Sequence, residues 1–447
     1  MPTLNPDASS HGGARAPVNI DPARKLHLDD VISHCLHCGM CLPVCPTYAL
    51  TSDEQSSPRG RIRLIRSVAD GSLPLSEGFA EEMNFCLDCQ ACQSACPAGV
   101  RYGELVEDAR TWVADAGLEP WFLRWTKLLF LRGVLSSRAR TKLFGRLLRF
   151  YGRSGLREAF ERSGVLTLFP EALAGRIGLL PRASAEFFDE SVPERLSATG
   201  ERKGTVAFLS GCIMNIAFAD VHRDAVALLT RNGYDVIVPK HQECCGALHG
   251  HNGDPREAAR LARATVDLFL AYDFDALIVD SAGCAAHIKA YGALLGGGGG
   301  GGDPRAASLA SKTREVTEFL AEKGFQKPTR PLGATVTYHE ACHLVHSQQI
   351  SRAPREILSS LPGAPFAELP EATWCCGSAG IYNITRFDDA MKMLDRKMGH
   401  LSSTGAGVVA TANPGCHLQL EYGIRKAGLA IRVAHPVTLL RESCEGE

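Results

Sequence analysis

Two short stretches of the sequence each place four cysteines within eleven residues. Residues 34–46 read HCLHCGMCLPVCP, and residues 85–97 read FCLDCQACQSACP. Both have the spacing C-x2-C-x2-C-x3-C followed by proline. Thiolates at this spacing are ligands of [4Fe–4S] clusters, which carry single electrons. Two full copies favour cluster binding over structural zinc, because zinc sites usually pair two C-x2-C units.

The two runs are expected to share their ligands, as the runs of two-cluster ferredoxins do. Three cysteines of a run wrap one cubane, and the fourth reaches the other cluster. The first ferredoxin set is then Cys35, Cys38, Cys41 and Cys96. The second ferredoxin set is Cys86, Cys89, Cys92 and Cys45. We therefore predict two [4Fe–4S] clusters at these eight cysteines.

The second half of the chain contains an internal repeat that is also built around cysteines. The first repeat set is Cys212, Cys244, Cys245 and Cys284, and the second repeat set is Cys342, Cys375, Cys376 and Cys416. Matching cysteines lie 130 to 132 residues apart, so the two copies are nearly in register. Apolar runs typical of strands precede most of them, such as ALIVD before Cys284. Ligands of parallel sheets gather at the carboxyl ends of the strands, so each set is expected to converge.

The sequence leaves open what the two repeat sets bind. An adjacent Cys-Cys pair followed by glycine suits a metal cluster better than a lone nucleophile, which favours one or two further iron–sulfur clusters. A zinc site, or a dithiol without metal, is the alternative. The nearby His249, His287 and His343 are interpreted as hydrogen-bonding residues more readily than as ligands. Cys444 is expected to be a free surface thiol.

The length and composition of the chain indicate the class of protein in which these sites occur. A chain of 447 residues exceeds one ordinary domain, and its 45% hydrophobic and 22% charged residues are normal for a globular protein. The net charge of −1 gives no indication of a nucleic-acid partner. The first 30 residues contain no apolar signal region, and no run of about 18 apolar residues occurs. We therefore expect a cytoplasmic protein whose cysteines bind metal instead of forming disulfides.

The expected fold class is α+β and multidomain. A mainly helical two-cluster ferredoxin module is followed by two repeated α/β cysteine-rich domains with parallel sheets. The predicted parts are a disordered tail at 1–27, the ferredoxin module at 28–115, a basic helical connector at 116–203, the first cysteine-rich domain at 204–295, a glycine-rich linker or loop at 296–303 and the second cysteine-rich domain at 304–447.

Basic residues raise two questions that the sequence leaves open. Four arginines between the runs, Arg59, Arg61, Arg63 and Arg66, either offset the negative charge of the clusters or lie in solvent. Within the connector, residues 118–163 alternate apolar and basic residues at roughly helical spacing. This composition suits amphipathic helices on anionic lipid at the inner face of the membrane, or on a partner subunit. The alternative is that the apolar face packs on the chain's own core.

Together, the cysteine runs and the repeats resemble a known family, the iron–sulfur subunits of glycolate oxidase. The likeness spans about residues 28–440 and is carried by HCGMCLPVCPTY, SPRGRIRLIRS, FCLDCQACQSACPAGVRYG and the two CCG repeats. It implies cluster ligation by the two ferredoxin sets and a complex whose flavoprotein subunits oxidise glycolate to glyoxylate. Similar CCG repeats occur in heterodisulfide reductase, anaerobic glycerol-3-phosphate dehydrogenase and lactate-utilisation proteins, so a related complex, D-lactate dehydrogenase included, is the alternative.

Two features bear on the chemistry that the chain performs. In heterodisulfide reductase-like members each repeat ends in C-x2-C, whereas His287 and Gln419 occupy that position in this chain. The glycine run at 296–302 does not follow a strand as a nucleotide-binding loop would. Oxidation of a 2-hydroxy acid needs a hydride acceptor, which iron–sulfur clusters are not. We therefore expect no catalytic residue in this chain, a flavoprotein partner and a quinone or other membrane acceptor. Disulfide reduction at the repeat sets and a metal-dependent sensor role are the rival interpretations.

Overall fold

A computed structural model describes residues 20–155, 170–296 and 302–444 of the protein. The two ferredoxin runs lie in a helical module, and two α/β units with mainly parallel sheets follow it. The predicted α+β fold class is therefore confirmed. Within these three ranges, no helix has the length and apolar content needed to cross a membrane.

Short helices surround the two cysteine runs in the N-terminal module. They are Pro22–Ser33, Pro46–Thr51, Pro58–Ala69, Glu77–Phe85, Ala91–Ser94 and Tyr102–Asp115, with a 3-10 turn at Glu54–Ser56. Their apolar faces meet in one core, where Ile65, Met83 and Val106 have no exposed surface. This core holds the two runs against each other, as shared ligation requires.

The first helix of the module begins earlier than the sequence analysis expected. Asp21 caps it, because its carboxylate accepts hydrogen bonds from the backbone N–H groups of Ala23 at 3.0 Å and Arg24 at 3.2 Å. Leu28 and Val31 then pack into the core. The prediction of a disordered tail over 1–27 is therefore wrong for residues 22–27. Residues 1–19 lie outside the described residues.

The connector is helical and divides its apolar residues between the core and the surface. Its helices are Trp121–Thr126, the π-helix Lys127–Leu135, Arg138–Arg153, Glu171–Gly178 and Phe188–Ser191. Leu123, Leu131 and Leu135 are buried against Ile381 of the second repeat. Large apolar side chains on the same helices are exposed, with Leu147 at 60%. The described connector helices thus bury some of their apolar side chains against the repeats and expose others. Residues 156–169 fall outside the described part of the chain.

The first repeat forms a five-stranded sheet in the order β1-β3-β2-β4-β5. Its strands are β1 Arg195–Leu196, β2 Gly204–Phe208, β3 Tyr234–Ile237, β4 Ala276–Val279 and β5 Thr313–Glu315. Only β1 runs antiparallel to its neighbour in this sheet. Its helices are Ile213–Ala217, Ala219–Arg231, Ala247–Gly250, Pro255–Phe269, Ala282–Lys289, Tyr291–Leu295, Pro304–Lys312 and Val316–Lys323.

Strand β5 follows the glycine run in sequence, whereas the other four strands of this sheet precede it. It pairs in parallel with β4 through Thr313 and Glu315, both of which are fully buried. Residues from 304 onwards were predicted to belong to the second domain, whereas residues 313–315 complete the first sheet. The glycine run therefore lies, in sequence, between two strands of the first repeat. Residues 297–301 lie outside the described residues.

The second repeat has a smaller sheet in the order β6-β7-β8, and all its pairings are parallel. Its strands are β6 Val336–Tyr338, β7 Val408–Ala410 and β8 Arg432–Ala434. Its helices are Cys342–Val345, Arg352–Ser359, Tyr382–Thr385, Phe387–Ser403, Pro414–Lys426 and Pro436–Glu442.

A single apolar core joins the two repeats. It contains Val236 of the first sheet, Val408 of the second sheet and Leu439 of the C-terminal helix. Cys444 follows that helix and is 3% exposed, so the expectation of a surface thiol is wrong. Because one core spans both sheets, the two repeat sets are held in a fixed arrangement.

Candidate metal centres

The first ferredoxin set faces one small cavity. Cys35, Cys38 and Cys41 line a space of about 30 Å³ together with Cys96, which comes from the other run. Cys92, which was predicted to belong to the second ferredoxin set, also lines this space, whereas Cys45 does not. Cys96 lies among the cysteines of the other run, which is compatible with ligands shared between the runs, and the thiols around this space suit a cubane cluster.

The two runs fold with the same backbone conformation at matching positions. The second residue after the first cysteine has a positive φ, 53° for His37 and 54° for Asp88. The fourth residue after it also has a positive φ, 86° for Gly39 and 60° for Gln90. Left-handed conformations are uncommon outside glycine. Their recurrence indicates that both loops are shaped to enclose the same kind of group.

The second ferredoxin set is almost completely buried. Its four members are each 7 or 8% exposed. Burial, and then the charges of Cys89 and Cys86, raise the pKa of the Cys92 thiol well above its usual range. The charge of Cys45 acts on Cys92 in the same direction, although Cys45 belongs to the first run. A metal ion is the partner that ionises such buried thiols, so this set fits a metal centre.

The structure separates the four arginines between the runs into two pairs. Arg61 is fully buried, and Arg59 lines the cavity of the first ferredoxin set, where its Nη1 donates to the carbonyl of His37 at 3.1 Å. Arg63 and Arg66 are exposed. The first pair is placed to offset the charge of thiolate-bound clusters, and the second pair lies in solvent.

Arg61 makes hydrogen bonds and an ion pair beside the second ferredoxin set. It donates to Oγ1 of Thr47 at 2.9 Å and to the backbone carbonyl of Glu82 at 2.8 Å. Its guanidinium also lies 3.3 Å from the Glu82 carboxylate. Burial would lower the pKa of Arg61, but the neighbouring Tyr102 and Cys86 raise it above its ordinary value. Arg61 is therefore a permanent positive charge next to these thiols.

The first repeat set converges into a chain of sulfur contacts. Cys212 Sγ–H donates to Cys244 Sγ at 3.5 Å, and Cys245 interacts with both Cys244 and Cys284. Hydrogen bonding from Cys212 and Cys245 lowers the pKa of Cys244 well below its ordinary value. Burial opposes protonation of His249, yet contact with Cys244 raises the pKa of this imidazole. The four thiols face one another closely enough to hold one metal group.

The second repeat set converges in the same way and includes a histidine that the sequence analysis missed. Cys375 interacts with Cys342 and Cys376, and Cys376 interacts with Cys416. The metal-binding atoms of His339, Cys376 and Cys416 lie within 4.8 Å of one another. The signal in the sequence was its place directly after the predicted strand ATVTY, three residues before Cys342.

The second ferredoxin set and the second repeat set are neighbours. The charge of Cys342 is the largest effect after burial that raises the pKa of Cys89, and Cys89 in turn raises the pKa of Cys375. Cys89 also packs in one apolar cluster with Cys375 and Cys416. Groups bound at these two sets would therefore lie side by side.

A buried charged network fixes the second ferredoxin loop between the two repeats. His251 Nδ1 lies 2.5 Å from the Glu107 carboxylate and 3.3 Å from that of Asp88. Burial lowers the pKa of His251, but Glu107 and Asp88 raise it to about 10, so the imidazole is charged. His343 Nε2 bonds with the backbone carbonyl of Asp88 at 2.9 Å. His251 and His343 thus hold the loop around Asp88 in place. For His343, this is the hydrogen-bonding role that was predicted from the sequence.

All eight cysteines of the two repeat sets line one cavity of about 810 Å³. The part of this cavity nearest the connector is apolar and includes Phe122, Leu129, Phe130 and Phe144. Leu129 is 62% exposed and Phe122 is 39% exposed, so they form the mouth of the cavity. The cavity therefore leads from the cysteines of both repeats to the exposed apolar face of the connector.

Comparison with known protein families matches three kinds of segment. Residues 31–100 match a 4Fe-4S dicluster domain, and residues 206–289 and 336–421 each match a cysteine-rich domain. Residues 122–177 match the linker region of glycolate oxidase iron–sulfur subunits. The matched segments contain both ferredoxin sets, both repeat sets and residues 122–177 of the connector.

Curated proteins resemble the chain over most of its length. A probable glycolate oxidase iron–sulfur subunit from Bacillus subtilis is 37% identical over 92% of this chain and 93% of its own length. The glycolate oxidase iron–sulfur subunit of Escherichia coli is 28% identical over 95% and 97%. Lactate utilization protein A of Oceanobacillus iheyensis is 30% identical over 54% of this chain and 98% of its own length.

Proposed function

The chain belongs to the family of glycolate oxidase iron–sulfur subunits, and we propose that it relays electrons from a partner flavoprotein that oxidises glycolate to glyoxylate towards a membrane quinone. Membership of this family makes it an iron–sulfur subunit of a hydroxy-acid oxidoreductase. The observation that carries the finer proposal is that Cys89 of the second ferredoxin set packs in one apolar cluster with Cys375 and Cys416, against which Cys342 also packs.

The ferredoxin sets would hold two [4Fe–4S] clusters, and the repeat sets one or two further clusters. When bound, these groups accept and release single electrons. The chain's own residues hold them in place, shield the second set from water and set the local charge through Arg59 and Arg61. Hydride removal from glycolate falls to the partner, because a flavin can take a hydride and an iron–sulfur cluster cannot.

Electrons would enter at the first ferredoxin set. Cys38 is exposed, and the flanking Leu36 and Met40 are 75% and 60% exposed. An exposed apolar rim around a redox centre suits docking of a flavoprotein subunit. The second ferredoxin set has no such exposure, which supports its role as the inner step of the relay.

Electrons would leave through the cavity that both repeat sets line. Its apolar mouth suits the ring and tail of a quinone, and its volume lies in the usual range of ligand pockets. The connector helix Arg138–Arg153 carries Leu143, Leu147 and Phe150 on one exposed face, with exposed arginines beside them. Such a helix suits the surface of an anionic membrane. We place the protein in the cytoplasm, peripherally on the inner face of the membrane.

The relay is tested with Cys89→Ala in the native complex. Glycolate should still reduce a dye that takes electrons directly from the flavin, while quinone reduction should fall more than about tenfold. The matched control is Cys444→Ala, which replaces a buried cysteine outside the four sets and should preserve both activities. Undiminished quinone reduction by the Cys89→Ala complex would mean that electrons bypass this chain.

The exit is tested with two neighbouring exposed leucines. Leu129 lines the cavity mouth, whereas Leu128, 47% exposed on the same helix, does not. In detergent solution, Leu129→Glu should raise the Kd of a decyl-tailed benzoquinone about tenfold, because a carboxylate replaces an apolar contact. Leu128→Glu should leave that Kd unchanged. Equal effects of the two variants would place quinone binding elsewhere.

A second candidate function is the same relay in a lactate-oxidising complex. The likeness to lactate utilization protein A over 54% of this chain favours it. Reduction of the complex by lactate and not by glycolate would support this candidate and leave the electron-carrier role in place.

A further inference from the structure

We propose that His339 is a ligand of the metal group held by the second repeat set, acting through an imidazole nitrogen beside Cys376 and Cys416. The inference rests on the proposed function only in that the second repeat set binds an iron–sulfur group. It assigns to this site a nitrogen donor that the cysteine pattern does not contain.

Geometry places the imidazole at the sulfur atoms. A nitrogen of His339 and the sulfur atoms of Cys376 and Cys416 lie within 4.8 Å of one another. His339 follows β6, and its backbone N–H donates to the carbonyl of Ala410 at the end of β7 at 2.9 Å. The side chain is therefore fixed at the carboxyl ends of two parallel strands, where ligands of such sheets collect.

The hydrogen bonding of His339 points to a missing partner. The residue is 1% exposed, and neither Nδ1 nor Nε2 has a hydrogen-bond partner among the described residues. A buried polar group left unpaired costs about 1–3 kcal/mol, so a second group is expected at this site. Coordination of a metal through one nitrogen would supply it.

The charge balance of the site also favours an imidazole donor. An imidazole adds no negative charge to a set that already contains four thiols, so it limits the net charge of the bound group.

The proposal explains a difference between this chain and relatives with five thiols per repeat. In the second repeat Gln419 occupies the fifth position, and its Oε1 accepts a hydrogen bond from Asn383 at 2.9 Å. Gln419 is therefore committed to another side chain. His339 approaches the same sulfur atoms from a different strand and would provide the additional donor.

The test uses the native complex, purified anaerobically, with histidine labelled by 14N or 15N. The reduced centre of the second repeat set should show a nitrogen hyperfine coupling in pulsed EPR that changes with the isotope. In His339→Ala this coupling should vanish, and the iron content should fall by the share of this one centre. His339→Cys should retain the iron, lose the coupling and have a lower reduction potential, because imidazole ligands raise the potential relative to thiolates.

His435→Gln is the matched control. His435 is another buried histidine of the second repeat, and burial lowers its pKa to about 4. Its Nδ1 accepts a hydrogen bond from the backbone N–H of Val437 and so caps the helix Pro436–Glu442. This variant should keep the iron and the coupling. The proposal is overturned if the wild-type centre shows no isotope-sensitive coupling, if His339→Ala keeps it, or if no metal binds at the second repeat set. None of these results affects reduction of the complex by glycolate, so the proposed function is judged separately.

Discussion

Replacement of Arg61 by methionine should lower the reduction potential of the cluster at the second ferredoxin set. Arg61 is a buried, permanently charged group beside Cys86 and Cys45. Reduction adds a negative charge to the cluster, and a nearby positive charge stabilises the reduced form. Methionine has a similar length and no charge, so the variant should be harder to reduce.

The magnitude follows from the burial and pairing of the guanidinium. At an effective dielectric constant of about 20, a unit charge roughly 8 Å away contributes about 2 kcal/mol, which corresponds to about 90 mV for one electron. The Glu82 carboxylate lies 3.3 Å from Arg61 and cancels part of this effect. We therefore expect a decrease of about 40 to 90 mV. The unpaired Glu82 should also cost about 3–5 kcal/mol of stability.

The assay is a redox titration of the complex followed by EPR, with two further variants. Arg61→Lys keeps the charge and should shift the potential by less than half as much. Arg63→Met removes an exposed arginine from the same helix and should leave the potential within about 10 mV, because solvent screens it. An unchanged potential in Arg61→Met, or an equal shift in Arg63→Met, would refute the electrostatic reasoning.

Ligand sharing, a buried carboxyl group and the exposed face of the connector can each be tested by mutation. Cys45→Ala should abolish the EPR signal of the second ferredoxin set and preserve that of the first; the opposite pattern would contradict ligand sharing between the runs. Glu315 is buried with a pKa raised by burial from 4.5 to about 7, so the folded state loses stability as pH rises from 4.5 to 7, by about 3 kcal/mol. Glu315→Gln should remove that part of the pH dependence of the unfolding midpoint. If the midpoint of the variant varies with pH as steeply as that of the wild type, the effect does not come from Glu315. Combined Leu147→Gln and Phe150→Gln should weaken binding to anionic vesicles severalfold, whereas Leu26→Gln, also at an exposed site, should not; equal losses would argue against docking through the connector.

Features encoded over short distances in the sequence could be predicted, and those set by packing could not. The spacing of the two cysteine runs identified the ferredoxin sets, and the 130-residue repeat identified the second group of thiols. Strand β5 was missed because it is three residues long and follows a glycine run, so only its pairing with β4 defines it. Cys444 is buried because the preceding helix packs on the other repeat, a contact with no local signal.

At the candidate metal centres, too, some features have a local signal in the sequence and others depend on packing. The sequence shows that four arginines lie between the two cysteine runs. Which of them face the thiols and which face solvent depends on how the helix Pro58–Ala69 is oriented towards the core. Arg61 faces the thiols and Arg63 faces solvent, two positions apart. His339 lacked a cysteine-like spacing, and its significance appears only when β6 and β7 bring it to Cys416. The shared cavity likewise depends on the packing of two repeats and the connector.

The visible absorbance of the clusters shows whether electrons from a hydroxy acid reach this chain. The native complex should be purified without oxygen and mixed with glycolate. We expect the cluster absorbance to bleach and then to recover when a quinone is added. Absorbance that is unchanged by glycolate and by lactate, yet bleached by dithionite, would contradict the electron-transfer role.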